Sequence, residues 1–209
     1  LQINMSKTQY LTVNMDDQLI IETDQIKPVK KFKYLGSMLE NETEQRIING
    51  RRSTGMLNSV LWSKNMMFKT KILTYKGLVQ SVMLYRSETW TINRKEASKL
   101  IATEMDYWRR SAMKSRREKI RNADMREIMQ VKKNLLEVIE KRRLRWYGLG
   151  HIKRMPGDRI PKMEWKEDGR RRKGRSKECW MDGVKRSMSQ KGFTEENVDD
   201  SDYWRQNIS

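Results

Sequence analysis

The chain has 209 residues, of which 45 are lysine or arginine and 27 are aspartate or glutamate, so its formal net charge is +18. This length suits one or two small domains, and the single cysteine and single histidine exclude an internal disulfide and a Cys/His zinc finger. No apolar run approaches the ~18 residues needed to cross a membrane and no signal peptide is visible, so we expect an intracellular protein, nuclear or cytoplasmic, that is neither secreted nor membrane-bound. The positive charge predicts a polyanionic partner, RNA or DNA, and the alternative is a basic protein with no nucleic-acid role.

The first forty residues carry short runs of β-forming side chains. Residues 9–13 and 18–22 are separated by Asn14-Met15-Asp16-Asp17, and this pattern predicts a hairpin. Residues 31–36 alternate polar and apolar side chains and stop at Gly36, which predicts a third strand.

The pair Asp16-Asp17 has two interpretations. Paired aspartates after an apolar strand resemble the carboxylates with which polymerases hold two Mg²⁺ ions. Here Asn14 stands two residues before the pair, where an aromatic side chain would be expected, and no third carboxylate lies in an obvious partner strand. We interpret the pair as part of a turn, and predict no metal site and no cofactor in this chain.

Helical periodicity replaces the strand pattern after Glu40. Apolar side chains recur at helical spacing in segments that predict helices from just after residue 40 to near 63, and over 69–86, 94–114, 124–131, 135–144 and 179–191. Asn93 and Asn122 are the expected caps of the third and fourth of these helices. Residues 166–178 are charged and contain no apolar side chain, so we expect a linker without a fixed fold of its own.

Together these patterns predict a mainly α protein with a small β element. Short antiparallel strands are followed by a helical bundle and by a basic C-terminal tail with a terminal helix. The expected divisions are a β-rich part, a helical bundle, a helical basic aromatic connector, and a basic linker with the C-terminal helix, at residues 1–40, 41–118, 119–165 and 166–209.

Two basic segments predict nucleic-acid binding. The first is Lys141-Arg142-Arg143-Leu144-Arg145-Trp146-Tyr147, hereafter the basic aromatic run, and the second is Gly169-Arg170-Arg171-Arg172-Lys173-Gly174-Arg175. Lysine and arginine neutralise phosphates, while aromatic and guanidinium planes stack on bases. The candidate contact residues in and between these segments are Arg142, Arg143, Arg145, Trp146, Lys153, Arg154, Arg170, Arg171, Arg172, Lys173 and Arg175.

Each of these signals has a plainer reading. Trp146 can pack in a core as readily as it can stack on a base. Residues 170–175 can form a solvated face or a nuclear-import signal, and both would coexist with nucleic-acid affinity.

No pattern of residues predicts catalysis. His151 lies in a basic stretch bounded by glycine, which favours a phosphate or carbonyl contact over acid–base chemistry. Cys179 precedes Trp180 on the apolar side of a predicted helix, which favours packing over reactivity. No Walker-type or dinucleotide-type glycine loop is present.

Several separated motifs, in order along nearly the whole chain, resemble the C-terminal part of the endonuclease–reverse transcriptase of a non-LTR (LINE-type) retrotransposon. They are Lys7-Thr8, Phe32 to Ser37, Tyr85 to Trp90, Arg145 to Gly148, His151 to Met155, and Gly169 to Trp180. One such motif would carry little weight, and the order of all of them carries the resemblance.

The resemblance implies a role for each part of the chain. Lys7 would lie at the end of the polymerase palm and help to protonate the leaving pyrophosphate. Tyr34, Leu35 and Gly36 would lie along the primer backbone, where a residue without a Cβ allows close approach. Residues 42–114 would form the thumb on the template–primer duplex, and the chain from Arg142 onward would bind RNA or the target DNA.

The same resemblance implies that catalytic residues lie elsewhere. The chain begins at Leu1, inside an expected strand, so we expect a truncated protein whose palm aspartates, fingers and endonuclease domain precede it. Mg²⁺ would belong only to the full-length polymerase, and this chain alone should be inactive. Arg86 replaces an expected glycine, and Ser176 an expected proline. The alternatives are a host-adopted, stand-alone nucleic-acid-binding protein and an inert pseudogene fragment.

Overall fold

The computed structural model describes residues 4, 8–10, 20–21, 24–29, 33–34, 37–38, 42–148, 156, 179–194, 198 and 200–208. The chain divides into two compact units, Leu1–Gln45 and Arg46–Ser209. The described residues are mostly helical, which confirms the mainly α fold class.

The first unit contains short paired strands: β1 (Gln9–Tyr10), β2 (Ile20–Ile21), β3 (Asp24–Gln25), β4 (Lys27–Pro28), β5 (Lys33–Tyr34) and β6 (Ser37–Met38). β2 pairs with β3 and β5 with β6, both antiparallel, whereas β1 pairs with β4 in parallel. The hairpin expected between residues 9–13 and 18–22 is therefore wrong in its pairing. Only two residues separate β2 from β3, and closing so short a connection costs less chain entropy than a longer one.

The helices are α1 (Glu42–Met56), α2 (Asn58–Leu61), α3 (Phe68–Thr74), α4 (Ser81–Met83), α5 (Arg94–Ser111), α6 (Asn122–Ile128), α7 (Leu135–Gly148), α8 (Trp180–Gln190) and α9 (Ser201–Asn207). A π-helical segment, Tyr75–Gln80, joins α3 to α4, so the helix predicted over 69–86 is present with a change of hydrogen-bonding pattern in its middle. Short 3₁₀ turns cover Ser87–Thr89 and Arg116–Glu118.

The helix α5 starts where its local sequence predicts. The side chain of Asn93 accepts a hydrogen bond from the Glu96 backbone N–H at 2.9 Å, and the Glu96 carboxylate accepts one from the Asn93 N–H at 3.0 Å. This reciprocal capping box satisfies two backbone donors that the helix cannot pair internally.

The structure differs from the prediction at the start of α6 and by the presence of a further helix, α9. Asn122 lies inside α6 and is not its cap, because its Oδ1 accepts a hydrogen bond from Arg109 Nη2 at 2.7 Å. The helix α9 was not predicted, since seven residues are too few to show a periodicity. The Asp200 carboxylate starts α9 by accepting hydrogen bonds from the backbone N–H groups of Asp202 and Tyr203, each at 3.0 Å.

Two apolar clusters hold the helical unit together. The first contains buried side chains of the elements from α1 to α7, among them Tyr75, Tyr107 and Trp108, whose rings lie 4.4–5.0 Å apart between centroids. The second joins the end of α7 to α8 and α9, and contains Leu144, Tyr147, Val184, Met188, Val198, Trp204 and Ile208. The C-terminal helices therefore pack on α7.

Arg86 adopts a left-handed backbone conformation, with φ 56° and ψ 23°, three residues after the end of α4 at Met83. This conformation costs about 1–2 kcal/mol for a residue with a Cβ, and glycine adopts it without that cost. We expect Arg86→Gly to raise the free energy of unfolding by about 0.5–1 kcal/mol, measured by urea denaturation. Lys95→Gly, in the right-handed first turn of α5, should lower it by about 1 kcal/mol. A loss of stability in both variants would contradict the prediction.

Candidate nucleic-acid interface

The basic aromatic run forms the C-terminal half of α7, and the helix divides it between two environments. Leu144 and Tyr147 are buried against the C-terminal helices, and Arg143 is also buried, with 8% of its surface exposed. Arg145 and Trp146 face solvent, and Trp146 is 37% exposed. Only part of the run is available to a partner.

Arg142 and Arg143 bind the protein's own backbone. Arg142 Nη1 donates a hydrogen bond to the Leu84 carbonyl at 2.6 Å, and Arg143 Nη2 donates one to the Trp90 carbonyl at 3.0 Å. Burial and its carbonyl contact give Arg143 a structural role. Arg142 is half-buried and also holds a backbone carbonyl, and the predicted phosphate contacts of both residues stay predictions.

The same segment, residues 84–90, also receives a hydrogen bond from α8. Trp180 Nε1 donates to the Glu88 carbonyl at 2.7 Å. In addition, a Cβ at Gly183 of α8 would collide with the Arg143 guanidinium, so α8 lies directly against that side chain. The turn that follows α4 is therefore fixed by side chains from two later helices.

The remaining predicted contact residues are described only in part. Tyr34 lies in β5, and nothing further is described of its side chain. The others lie outside the described residues, and their predicted roles stay predictions: Lys7, Leu35, Gly36, Lys153, Arg154, Arg170, Arg171, Arg172, Lys173 and Arg175.

A second basic surface was missed by the sequence analysis. Residues 114–121, Lys-Ser-Arg-Arg-Glu-Lys-Ile-Arg, connect α5 to α6 and are hereafter the basic turn. Residues 115–119 and Arg121 are exposed. The density of lysine and arginine in this octapeptide was the signal that could have identified it.

Internal contacts leave most of the charge of the basic turn available. The Glu118 carboxylate accepts a hydrogen bond from the Ser115 N–H at 2.9 Å and pairs with Lys114 at 3.0 Å, and the Ser115 hydrogen bond, followed by Lys114, lowers the pKa of Glu118. Arg116 pairs with Asp106 at 3.1 Å. Among the described residues, no ion pair involves the three other cations of the turn, Arg117, Lys119 and Arg121.

The surplus of positive charge extends over the whole helical region. Residues 42–148 contain 25 lysine or arginine and 11 aspartate or glutamate side chains. One of the few acidic groups, Glu104, is buried between α5, α6 and α7, where it accepts a hydrogen bond from the Leu135 N–H at 3.3 Å and lies 3.6 Å from Arg126 Nη2. Burial raises the pKa of Glu104 despite these contacts.

The described residues contain no group of three or more His, Cys, Asp or Glu side chains that could hold a metal ion. Within the same ranges, no helix has the length and apolar character needed to span a membrane.

Comparison with known proteins gives one distant similarity. The chain is 24% identical over 207 residues to an uncharacterized transposon-derived protein of Caenorhabditis elegans, and the alignment covers 90% of this chain and 73% of that protein. No protein-family model matches the chain. No solved structure matches it either. The similarity extends over nearly the whole chain and indicates a transposon origin.

Proposed function

We propose that the chain is the C-terminal, nucleic-acid-binding part of a retrotransposon-derived reverse transcriptase. In this role it holds a template–primer duplex or the target DNA, while the catalytic aspartates and their Mg²⁺ ions belong to polymerase domains that precede it. The chain alone does not polymerise. Its partners are RNA or DNA and those upstream domains.

The basic turn is the observation that supports this proposal most strongly. Arg117, Lys119 and Arg121 are cations on one short exposed segment, and no described acidic group pairs with them. Maintaining unpaired charges of one sign at close spacing is unfavourable unless a partner of opposite sign neutralises them. Nucleic-acid phosphates are such a partner, and they release counterions on binding.

Two further observations support the retrotransposon origin. The ordered motifs from Lys7-Thr8 to Gly169–Trp180 resemble a LINE-type reverse transcriptase. The similarity to a transposon-derived nematode protein covers nearly the same length. The left-handed conformation of Arg86 also falls where the family resemblance expects a glycine, as a diverged copy would show.

The proposal predicts a specific change in salt dependence. Each phosphate contact contributes about 0.9 to the slope of log affinity against log salt concentration for duplex DNA. Replacing Arg117, Lys119 and Arg121 by alanine should therefore reduce the slope by about two to three units, measured by fluorescence anisotropy with a labelled duplex. Replacing Arg170, Arg171, Arg172 and Lys173 should reduce it by about four units if the tail also contacts phosphates.

The control removes the same charge elsewhere. Lys64, Lys69 and Lys76 are exposed cations that lie before α3, on α3 and on the π-helical segment after it. Their triple alanine variant should keep the slope within about one unit. An equal reduction in both triple variants would assign binding to general charge and not to the basic turn. A wild-type chain with no salt-dependent binding and no cooperative unfolding would instead support an inert fragment.

A further inference from the structure

A cleft of about 890 Å³ lies in the helical unit between the segment after the 84–90 turn, the start of α5, α7 and the start of α8. Its lining includes Trp90, Arg94, Ala97, Arg143, Trp180 and Arg186. The basic turn contributes no residue to this lining, so the cleft is distinct from the surface described above. Its size falls within the range of about 300–1,000 Å³ that is typical of small-ligand sites.

The cleft has an apolar, aromatic side. Ile92, Ala97, Leu136 and Ile139 line it together with the indoles of Trp90 and Trp180. The Trp90 side chain is 5% exposed, and its buried Nε1 has no hydrogen-bond partner among the described residues. An indole N–H can only donate, and leaving a buried donor without an acceptor is unfavourable. The apolar and aromatic character of this side suits a flat ring.

The cleft also has a cationic side. Arg94, on the first turn of α5, is exposed, and so is Arg186 on α8, which already takes part in another interaction. The third arginine of the lining, Arg143, is buried. The lining contains two acidic side chains: Glu96, which is engaged in the cap of α5, and Glu140. A guanidinium group binds phosphate through two parallel hydrogen bonds and stacks on aromatic rings, so this combination suits an anionic ligand with a flat ring.

We propose that this cleft holds one unpaired nucleotide of the bound nucleic acid. The base lies against the tryptophan-lined side, and its phosphate lies at Arg94. The proposal rests on the proposed function and specifies which chemical form of nucleic acid the helical unit recognises. The apolar, tryptophan-bearing side together with the Arg94 guanidinium favours a nucleotide over an acidic peptide, which would use the cation but not the aromatic side.

The experiment compares two single strands of about twelve nucleotides at equal salt, one with bases and one in which every residue is abasic. Both present the same phosphates. Base stacking contributes enough that the wild-type chain should bind the intact strand about tenfold more tightly. Ala97→Phe fills the cleft without changing the charge, so it should abolish this preference and leave the salt dependence intact.

Two matched controls complete the design. Ala102→Phe makes the same change at an exposed position of α5 outside the cleft, and it should keep the tenfold preference. A second pair of variants tests the phosphate position: Arg94→Gln and, as its control, Lys95→Gln at the exposed neighbouring residue. Both substitutions lie on the surface, so these variants should fold even if Ala97→Phe does not. Arg94→Gln should weaken binding of the intact strand more than Lys95→Gln does.

The results separate the two proposals. Salt-dependent binding with equal affinity for intact and abasic strands would overturn the nucleotide site and leave the proposed function standing. A preference that survives Ala97→Phe, or Arg94→Gln and Lys95→Gln variants that bind equally, would also overturn it. Wild-type protein without salt-dependent binding would overturn the proposed function itself. Tighter binding of an acidic, tryptophan-containing peptide, abolished by Ala97→Phe, would assign the cleft to a peptide.

Discussion

Replacing Trp204 by alanine is expected to lower the free energy of unfolding by about 3–5 kcal/mol, the cost of removing a large buried aromatic side chain. Trp204 is fully buried, its ring centroid lies 4.9 Å from that of Phe193, and its Nε1 donates a hydrogen bond to the Leu144 carbonyl at 3.1 Å. Gly148 provides the space for the indole, since a Cβ there would collide with the ring. The substitution leaves a cavity and removes this hydrogen bond.

Tyr203 provides the control for this prediction. It is the neighbouring residue on α9, is 41% exposed, and meets Phe193 only edge-on, with centroids 6.5 Å apart. Tyr203→Ala should cost less than about 1 kcal/mol. Urea denaturation measures both, and limited proteolysis should cleave α9 faster in Trp204→Ala alone. Equal losses in the two variants would contradict the packing of α9 on α7.

The second large effect is expected at Lys71, a buried lysine at the centre of the helical unit. Its Nζ donates hydrogen bonds to the carbonyls of Leu61 at 2.7 Å and Ser111 at 2.8 Å, and it thereby links the ends of α2 and α5 to α3. Lys71→Ala leaves both buried carbonyls unpaired and should lower the free energy of unfolding by about 3–5 kcal/mol. Lys69→Ala, exposed on the same helix, should change it by less than about 0.5 kcal/mol.

Lys71 also gives the stability a pH dependence with a definite sign. Burial lowers the pKa of Lys71 from its ordinary value of 10.5. Between the lowered pKa and 10.5, the unfolded chain binds more protons than the folded one, so stability should rise with pH across that window. Lys71→Met keeps most of the packing but cannot titrate. Its deficit relative to wild type should therefore grow in urea denaturation as the pH rises from the lowered pKa toward 10.5. A constant deficit would contradict the assignment.

The local sequence was sufficient for features that depend on neighbours in the chain. The cap at Asn93 and the apolar spacing of Leu100, Met105 and Trp108 predicted α5 closely, because a helix satisfies its backbone within itself. The strand pairing failed for the opposite reason. Two-residue strands carry too little pattern to specify a partner, and β1 pairs with a strand more than fifteen residues away.

The basic aromatic run shows where sequence reasoning about function stops. Arg143 and Arg145 have similar sequence surroundings, but α8 covers only Arg143, and α8 begins more than thirty residues later in the chain. Because Arg143 is buried and donates a hydrogen bond to the Trp90 carbonyl, it acts as a polar group of the protein core. The sequence did not single out the basic turn because its lysine and arginine side chains lie on a short connection that contains no aromatic residue.

The sequence by itself determined the charge, the predominance of helix, the position of α5 and the ordered motifs that resemble a retrotransposon reverse transcriptase. Those properties follow from composition and from interactions within a few residues. Only the tertiary structure decided which cations face solvent, that Lys71 and Arg143 are buried, and that a cleft forms between α5, α7 and α8. The physical reason is that burial is set by segments distant in sequence, and the same arginine can neutralise a phosphate or cap a carbonyl according to what packs beside it.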